Sequence, residues 1–288
     1  MNSDALMISF KVSLAFFMAF SLLDMGLRLN LNDAIQGLRN FKFVAHTLVW
    51  SFVFCPALAY LITRVIPLDP PYAVGMLLLG MAPCAPFVPI LVEKAKGDLG
   101  YTAAFMLLAS VGTVVCMPVT VPLLTQGLSA SPWTIAKPLL IVVLIPMAVG
   151  VIFRRQKEGL AAKIQPIVKK LSGLAGLIWC LLCLIIYGKG LLGLAGELAV
   201  LSEVVFFGII CLATYYLGFG LCHEQKIVLS IGVTTRNLGA CLTPLLSVPD
   251  ADERATLMIV LSLVIMVIVA RLGAKWFGRA AAPPITAH

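Results

Sequence analysis

The sequence has few charged residues and no polar stretch long enough to form a second domain. Only 12% of its 288 residues are charged, 61% are hydrophobic, and the mean hydropathy is +1.04. The packed core of a water-soluble domain does not need so many apolar residues, so the surface must face lipid and the soluble classes of protein are excluded. HExxH and GxSxG motifs and aspartates paired across helices are also missing, so we do not expect an enzyme.

Its eight cysteines lie mostly inside apolar runs, and they do not cluster with histidine in a metal-ligand pattern. Cys180 and Cys183 have the CxxC spacing, but apolar residues surround them, and we interpret the cysteines as small core residues. The sequence therefore predicts no cofactor, and sodium ions are the one candidate for a bound metal.

Nine apolar segments are long enough to cross a bilayer, which requires about 20 residues in a helix. They cover residues 5–27, 43–65, 72–92, 98–124, 136–153, 171–187, 198–222, 226–247 and 254–276. Because helices satisfy their own backbone groups in lipid, we predict an all-α polytopic membrane protein with about nine transmembrane helices. One transmembrane domain would cover residues 1–279, in halves 1–128 and 129–279, with a loose tail at 280–288.

The basic residues are distributed unevenly between the connections. With the N-terminus outside the cell, fifteen of the 21 lysines and arginines fall on the cytoplasmic side, and only Arg64, Lys137, Lys189 and Arg254 fall outside. This bias predicts a protein of the cell membrane with its C-terminus in the cytoplasm. It also explains the net charge of +8, so no nucleic-acid partner is predicted. Residues 154–170 are expected to be a connector that lies on anionic lipid.

The third span is poorly suited to a continuous helix. It contains Pro83, Pro86 and Pro89 within seven residues. Each interior proline removes a backbone hydrogen bond and clashes with the preceding turn, at a cost of about 3 kcal/mol. We therefore predict a break in this span, where protein or water must satisfy the freed backbone groups.

The eighth span carries four consecutive polar side chains, Thr234, Thr235, Arg236 and Asn237, near its middle. A cation at the centre of an inserting helix costs about 2.5 to 3.5 kcal/mol. The two interrupted spans are five crossings apart, so they enter the membrane from opposite sides. Such a pair is typical of inverted-repeat transporters, in which half-helix ends meet at a midplane site.

These patterns define a candidate substrate site at the two breaks. Its predicted members are Arg236, Asn237, Thr234, Thr235, Pro83, Cys84, Ala85 and Pro86. Arg236 would bind the substrate's carboxylate or sulfonate, or take the place of a coupling cation; a structural ion pair is the alternative. Glu203 and Asp24 are candidates for its counter-charge or for a proton carrier.

Oxygen donors for an ion are also present near the breaks. Thr113 and Thr120 could donate to an ion, and a sodium site is possible near Thr234, Thr235 and Asn237. Threonine often bonds to its own helix in membranes, so about half of these are expected to be structural.

Several runs resemble the bile acid:sodium symporter family, in the nine-helix form of bacterial relatives that lack the first helix. The matching runs are Met25-Gly26-Leu27-Arg28-Leu29, the proline-broken segment, Ala95-Lys96-Gly97-Asp98, residues 118–124 and Thr235-Arg236-Asn237. The resemblance implies a panel domain and a core domain, with two broken helices that cross in the core. It also implies transport of a small organic anion through the lipid bilayer.

The sequence departs from this family at the positions that bind sodium. Sodium-coupled members carry Pro-Gly-Gly followed by Ser-Asn in the first broken helix, and a Glu with a nearby Gln in the second. Here Pro83-Cys84-Ala85 and Val88-Pro89 take the place of the first motif, and the acidic position falls on Ser230 or Ile231. A hard cation prefers about six oxygen ligands. We predict a secondary transporter with alternating access and sodium coupling as one option. The alternatives are an uncoupled, proton-coupled or exchange carrier with Arg236 as a fixed cation, and a non-transporting sensor or partner subunit.

Overall fold

The computed structural model describes residues 3–124, 131–193, 198–247 and 251–280, which form twelve helices. In chain order they are α1 (Ser3–Arg28), α2 (Leu31–Leu38), α3 (Phe41–Val65), α4 (Pro70–Met81), α5 (Val88–Lys94), α6 (Leu99–Leu124), α7 (Pro132–Gln156), α8 (Glu158–Gly193), α9 (Leu198–Tyr216), α10 (His223–Thr234), α11 (Leu238–Ser247) and α12 (Glu253–Ala280).

The helices confirm an all-α polytopic membrane protein. Within those described ranges, seven helices are long and apolar enough to cross a membrane: α1, α3, α6, α7, α8, α9 and α12. The interrupted pairs α4 with α5 and α10 with α11 supply the other two predicted crossings. Large apolar side chains such as Val115, Leu184 and Val264 are exposed on the outside, as contact with lipid tails requires.

The prediction that residues 154–170 form a separate connecting loop was wrong, because most of that segment is helical; its contact with anionic lipid stays a prediction. Helix α8 begins at Glu158 and continues to Gly193, well beyond the predicted span 171–187. Hydropathy detects the part of a helix that lies in hydrocarbon, whereas alanine, lysine and glutamine extend it into the headgroup region. The short helix α2, capped by the side chain of Asn30, was also not predicted.

Helices α1, α7 and α8 pack together in a unit that we call the panel. Helices α1 and α7 approach closely at Gly26 and Gly150, where a Cβ added to Gly150 would lie 2.6 Å from the carbonyl oxygen of Leu23. Nη1 of Arg154 donates to the carbonyl oxygens of Leu27 and Arg28, at 3.0 and 2.7 Å. We call this end of the molecule, where α1 and α7 end, the basic end.

The remaining long helices form a second unit, the core, around the two interrupted pairs. Helix α12 packs against α4, and α10 packs against α9 and α6. At the end opposite the basic end, Arg254 at the start of α12 forms an ion pair with Asp69 of the α3–α4 connection, at 3.2 Å. Because α8 runs from the basic end to this opposite end, α9 begins at the opposite end.

The order of elements repeats along the chain. A long helix, an interrupted pair and a second long helix occur as α3 to α6, and again as α9 to α12. The predicted boundary between the halves at residue 128 falls within residues 125–130, outside the described ranges. Residues 281–288 of the predicted tail also lie outside them, and Ala280 is the last residue of α12. The division into halves and the tail therefore stay predictions.

Candidate functional site

The two interrupted pairs cross at their breaks, as predicted. At the crossing, Pro83 and Arg236 form an antiparallel bridge. The backbone N–H of Cys84 donates to the carbonyl oxygen of Thr235 at 2.8 Å, and the N–H of Asn237 donates to that of Ala82 at 3.0 Å. These bonds satisfy backbone groups that the broken helices free in the middle of the membrane.

The residues on either side of the bridge explain why the helices stop here. Pro83 and Pro86 cannot donate to a helical turn, while Pro89 lies in the first turn of α5, where its missing N–H costs nothing. Thr235 has an extended backbone, and its hydroxyl accepts from the N–H of Ala85 at 3.4 Å. Oδ1 of Asn237 accepts from the N–H of Ala240 at 3.2 Å and so caps α11.

Arg236 is fully buried and points into the core. Its Nη2 donates to Sγ of Cys55 on α3 at 3.0 Å, and its guanidinium carbon lies 5.3 Å from the ring centroid of Phe206 on α9. Within the described residues, Nε and Nη1 have no hydrogen-bond partner, and no carboxylate forms an ion pair with the guanidinium. Since arginine is a permanent cation in proteins, a positive charge lies at the crossing without a paired carboxylate among the described residues.

A cavity of about 390 Å³ lies between the panel and the crossing. Its walls come from α1, α8, α12 and the two breaks, and they are mostly apolar, with Phe17, Leu22, Trp179, Leu263 and Met266 among them. Pockets for small organic molecules are commonly about 300–1,000 Å³, with apolar walls and a few polar groups. The volume and the lining therefore suit an amphipathic molecule.

The deep end of the cavity is formed by the start of α11. Ala85 and Pro86 border it from one break, and Asn237 and Gly239 border it from the other. The first N–H groups of a helix carry a partial positive charge and bind anions. Arg236 also borders the cavity, but its guanidinium extends behind the crossing towards α3 and α9, and it adds positive potential from there.

Charged groups border the other end of the cavity, at the basic end of the molecule. Asp24 pairs with Arg28, with 2.9 Å between Oδ2 and Nη2, and accepts from Nε2 of Gln165 at 2.6 Å. Lys169, which is exposed, lies at the same end. The positive residues there would attract an anion towards the cavity.

Three of the five predicted ion donors are held by their own helices, whereas the hydroxyl of Thr234 has no hydrogen-bond partner among the described residues. Thr113, Thr120 and Thr235 each donate their hydroxyl to the carbonyl oxygen four residues earlier, at 2.8, 2.9 and 3.0 Å. Thr234 is fully buried at the end of α10, beside Cys211. In the described part of the chain, no group of three His, Cys, Asp or Glu residues could hold a metal ion.

Glu203 lies on α9, away from the cavity. It is fully buried, and neither carboxylate oxygen has a hydrogen-bond partner among the described residues. It is three residues, or about one turn, from Phe206, the residue that lies against the guanidinium of Arg236.

Sequence reasoning missed the contacts of Arg236 and most of the cavity wall. Cys55 is 181 residues from Arg236 in the chain, and nothing in the local sequence of α3 indicates that they meet. Phe17 and Trp179, whose rings stack at 5.8 Å, lie in uniformly apolar helices. The one sequence signal for this cavity wall was the presence of aromatic residues within the spans, but anchoring of aromatic residues at the membrane interface explains that pattern as well.

Comparison with known proteins gives two matches. The model of the Sodium Bile acid symporter family matches residues 15–193. A probable sodium/metabolite cotransporter of the chloroplast from Arabidopsis thaliana is 23% identical over 249 residues. That alignment covers 81% of this chain and 61% of the plant protein, so the chain spans about three fifths of the length of that relative.

Proposed function

Because the chain belongs to the Sodium Bile acid symporter family, a family of membrane transporters, we propose that it carries a small amphipathic organic anion by secondary transport. The observation that carries this proposal is the apolar cavity of about 390 Å³ that ends at the start of α11. The apolar part of the anion would lie against Phe17 and Trp179. Its carboxylate or sulfonate would meet the side chain of Asn237 and the first N–H groups of α11.

In this proposal Arg236 is a built-in cation behind the anion site. Its guanidinium contacts Cys55 and Phe206 in the core, so it attracts the anion through space and makes no direct contact. Charges interact strongly across a low-dielectric interior, which makes this attraction effective without contact. Arg236 then supplies the positive charge that a transported coupling cation would otherwise bring to the site.

Sodium coupling is the second candidate, because the plant relative is named as a probable sodium/metabolite cotransporter. A sodium site needs about six oxygen ligands. The hydroxyls of Thr113, Thr120 and Thr235 already donate to their own backbones, although their lone pairs could still accept an ion. The fixed charge of Arg236 favours the carrier without sodium.

The proposed cycle moves the core against the panel. The cavity lies between these two units and reaches towards the basic end, so this conformation would admit the anion from there. Movement of the crossing relative to α1 and α8 would open the site towards the opposite end. We place the basic end in the cytoplasm, with the N-terminus outside the cell membrane, from the distribution of lysine and arginine.

The test uses purified protein in liposomes and the uptake of radiolabelled taurocholate. This amphipathic sulfonate stays charged and crosses lipid poorly by itself. We expect saturable uptake with sodium or with potassium at equal ionic strength, and uptake lower by about tenfold or more in Arg236→Gln. The control is Arg64→Gln on α3, an exposed arginine that bonds to Tyr60, and its uptake should equal wild type.

Thermal stability separates this role from a structural one. Two nitrogen atoms of Arg236, Nε and Nη1, are buried without hydrogen-bond partners in the described structure, so removal of the charge should maintain or raise the melting temperature. Unchanged uptake in Arg236→Gln, or a lower melting temperature with proportional loss of uptake, would contradict the proposal. Strict sodium dependence would favour the second candidate, and absence of any saturable flux would favour a non-transporting sensor or partner subunit.

A further inference from the structure

Glu203 is a buried acid that the proposed anion site does not use. Its side chain is 0% exposed, and both carboxylate oxygens are without a hydrogen bond among the described residues. An ionised carboxylate without water, hydrogen bonds or a paired cation is strongly disfavoured inside a membrane protein.

The elements around Glu203 carry other titratable groups. Helix α9 packs against α3, α10 and α12. The titratable and charged residues of these elements are Lys42, His46, Cys55, Tyr60 and Arg64 on α3, His223, Glu224 and Lys226 on α10 with Arg236 just after it, Glu253, Arg254, Arg271, Lys275 and Arg279 on α12, and Cys211, Tyr215 and Tyr216 on α9 itself. Of these, Arg236 is a charged residue that contacts α9 directly, at Phe206, one turn from Glu203.

We propose that Glu203 is a proton-binding site that couples anion transport to protons, with one proton carried per anion. This inference rests on the proposed function. In the loaded carrier, the anion balances the charge of Arg236 and Glu203 is neutral. In the empty carrier, ionised Glu203 supplies the negative charge that the core then needs.

The proton balance of the cycle is simple. A proton from water on one side forms an O–H bond with a carboxylate oxygen of Glu203. The same bond breaks on the other side, and the proton returns to water. Anion binding and proton binding then favour each other, because each removes the electrostatic cost of the other.

The position of Glu203 in the fold suits this role. It is five residues after the start of α9, or about 8 Å from the end of that helix at the opposite end of the molecule. The cavity reaches towards the basic end, so Glu203 and the cavity lie on different sides of the crossing. Opening at the opposite end would bring water to Glu203 when the anion site faces that side. Release of the proton at the basic end requires that water from the cavity reach Glu203 past the crossing once the anion has left.

A proton fits this site better than a metal ion does. A proton needs one oxygen atom, whereas hard cations need about six. The adjacent Ser202 donates its hydroxyl to the carbonyl oxygen of Ala199 at 2.7 Å. Within the described ranges no group of three His, Cys, Asp or Glu residues that could hold a metal ion includes Glu203.

The experiment measures taurocholate uptake and internal pH together, in liposomes that contain the dye pyranine. Wild type should bring in one proton per taurocholate and accumulate it about tenfold per unit of pH gradient, alkaline inside. Taurocholate remains a sulfonate at these pH values, so it carries no proton itself. Glu203→Gln should still exchange internal for external taurocholate, but without accumulation driven by pH and without acidification. The control Glu253→Gln, an exposed acid at the start of α12, should behave as wild type.

Infrared difference spectroscopy gives a second reading that does not depend on transport. The carbonyl stretch of a buried protonated carboxylic acid should appear in wild type and Glu253→Gln, and be absent in Glu203→Gln. Uptake without protons in wild type, accumulation driven by pH in Glu203→Gln, or absence of the infrared band would each overturn the inference. A wild type that moves no taurocholate yet shows the band would contradict the proposed function and leave the proton on Glu203 in place. If Glu203→Gln does not fold, wild-type proton flux and a shifted band in Glu203→Asp decide the question.

Discussion

Cys84 has a backbone conformation that side chains rarely adopt. Its φ is +76°, in the left-handed region, and its N–H donates to the carbonyl oxygen of Thr235 across the crossing. This region costs an L-amino acid about 1–2 kcal/mol. The hydrogen bonds of the crossing hold the residue there, so the strain lies next to the proposed anion site.

The strain predicts how substitutions at Cys84 rank. Cys84→Val should lower the melting temperature more than Cys84→Gly does, because a β-branched side chain fits the left-handed region worst, whereas glycine adopts it freely. Thermal unfolding of the purified protein, followed by tryptophan fluorescence, measures both variants.

Cys241 on α11 is the matched control, since it is also a buried cysteine but lies within a helix. There the order should reverse, because glycine weakens a helix interior more than valine does. If glycine lowers the melting temperature more than valine does at both positions, the backbone of Cys84 is not strained.

At the level of elements, the panel depends on backbone contact between α1 and α7. A Cβ added to Gly150 would lie 2.6 Å from the carbonyl oxygen of Leu23 and 2.8 Å from the backbone nitrogen of Leu27. Both neighbours are backbone atoms, which cannot move aside as a flexible side chain can. Small residues that allow such close approach stabilise helix pairs in membranes, where no hydrophobic effect drives association.

Gly150→Ala should therefore destabilise the panel by about 1–3 kcal/mol, the usual cost of overpacking. The control is Gly208→Ala on α9, where an added Cβ meets no atom within 4 Å. That variant should be neutral or more stable, because alanine favours a helix by about 0.5–1 kcal/mol over glycine. If both variants lower the melting temperature by the same amount, the packing argument is wrong.

The elements also show where sequence reasoning ends. Three prolines and one intramembrane arginine predicted both breaks, because such residues carry a local cost whatever surrounds them. The crossing of the two broken helices was implied by the family resemblance. The start of α8 was missed, since hydropathy does not respond to helix outside hydrocarbon. The contact of Arg236 with Cys55 depends on which helices pack together, and no local pattern of α3 predicts that.

At the level of the whole molecule, the cavity makes occupancy measurable with native thiols. Cys180 on α8 borders the cavity, and Cys222, at the start of α10, is exposed at the surface. N-ethylmaleimide labelling of Cys180, followed by peptide mass spectrometry, should slow about tenfold when taurocholate is at ten times its Kd. Labelling of Cys222 should not change. Equal protection of both thiols, or of neither, would show that taurocholate does not occupy the cavity.

Helix α8 has 36 residues, so it is about 54 Å long, while the hydrocarbon core of a bilayer is about 30 Å thick. Even with considerable tilt it passes through both headgroup layers. Lys163 and Lys170 lie in its first turns, where they would be held by phosphate groups. Anchoring in both headgroup layers therefore fixes the position of the panel along the membrane normal. Any vertical displacement between the two units must then be made by the core, and the surrounding lipid must bend around the core.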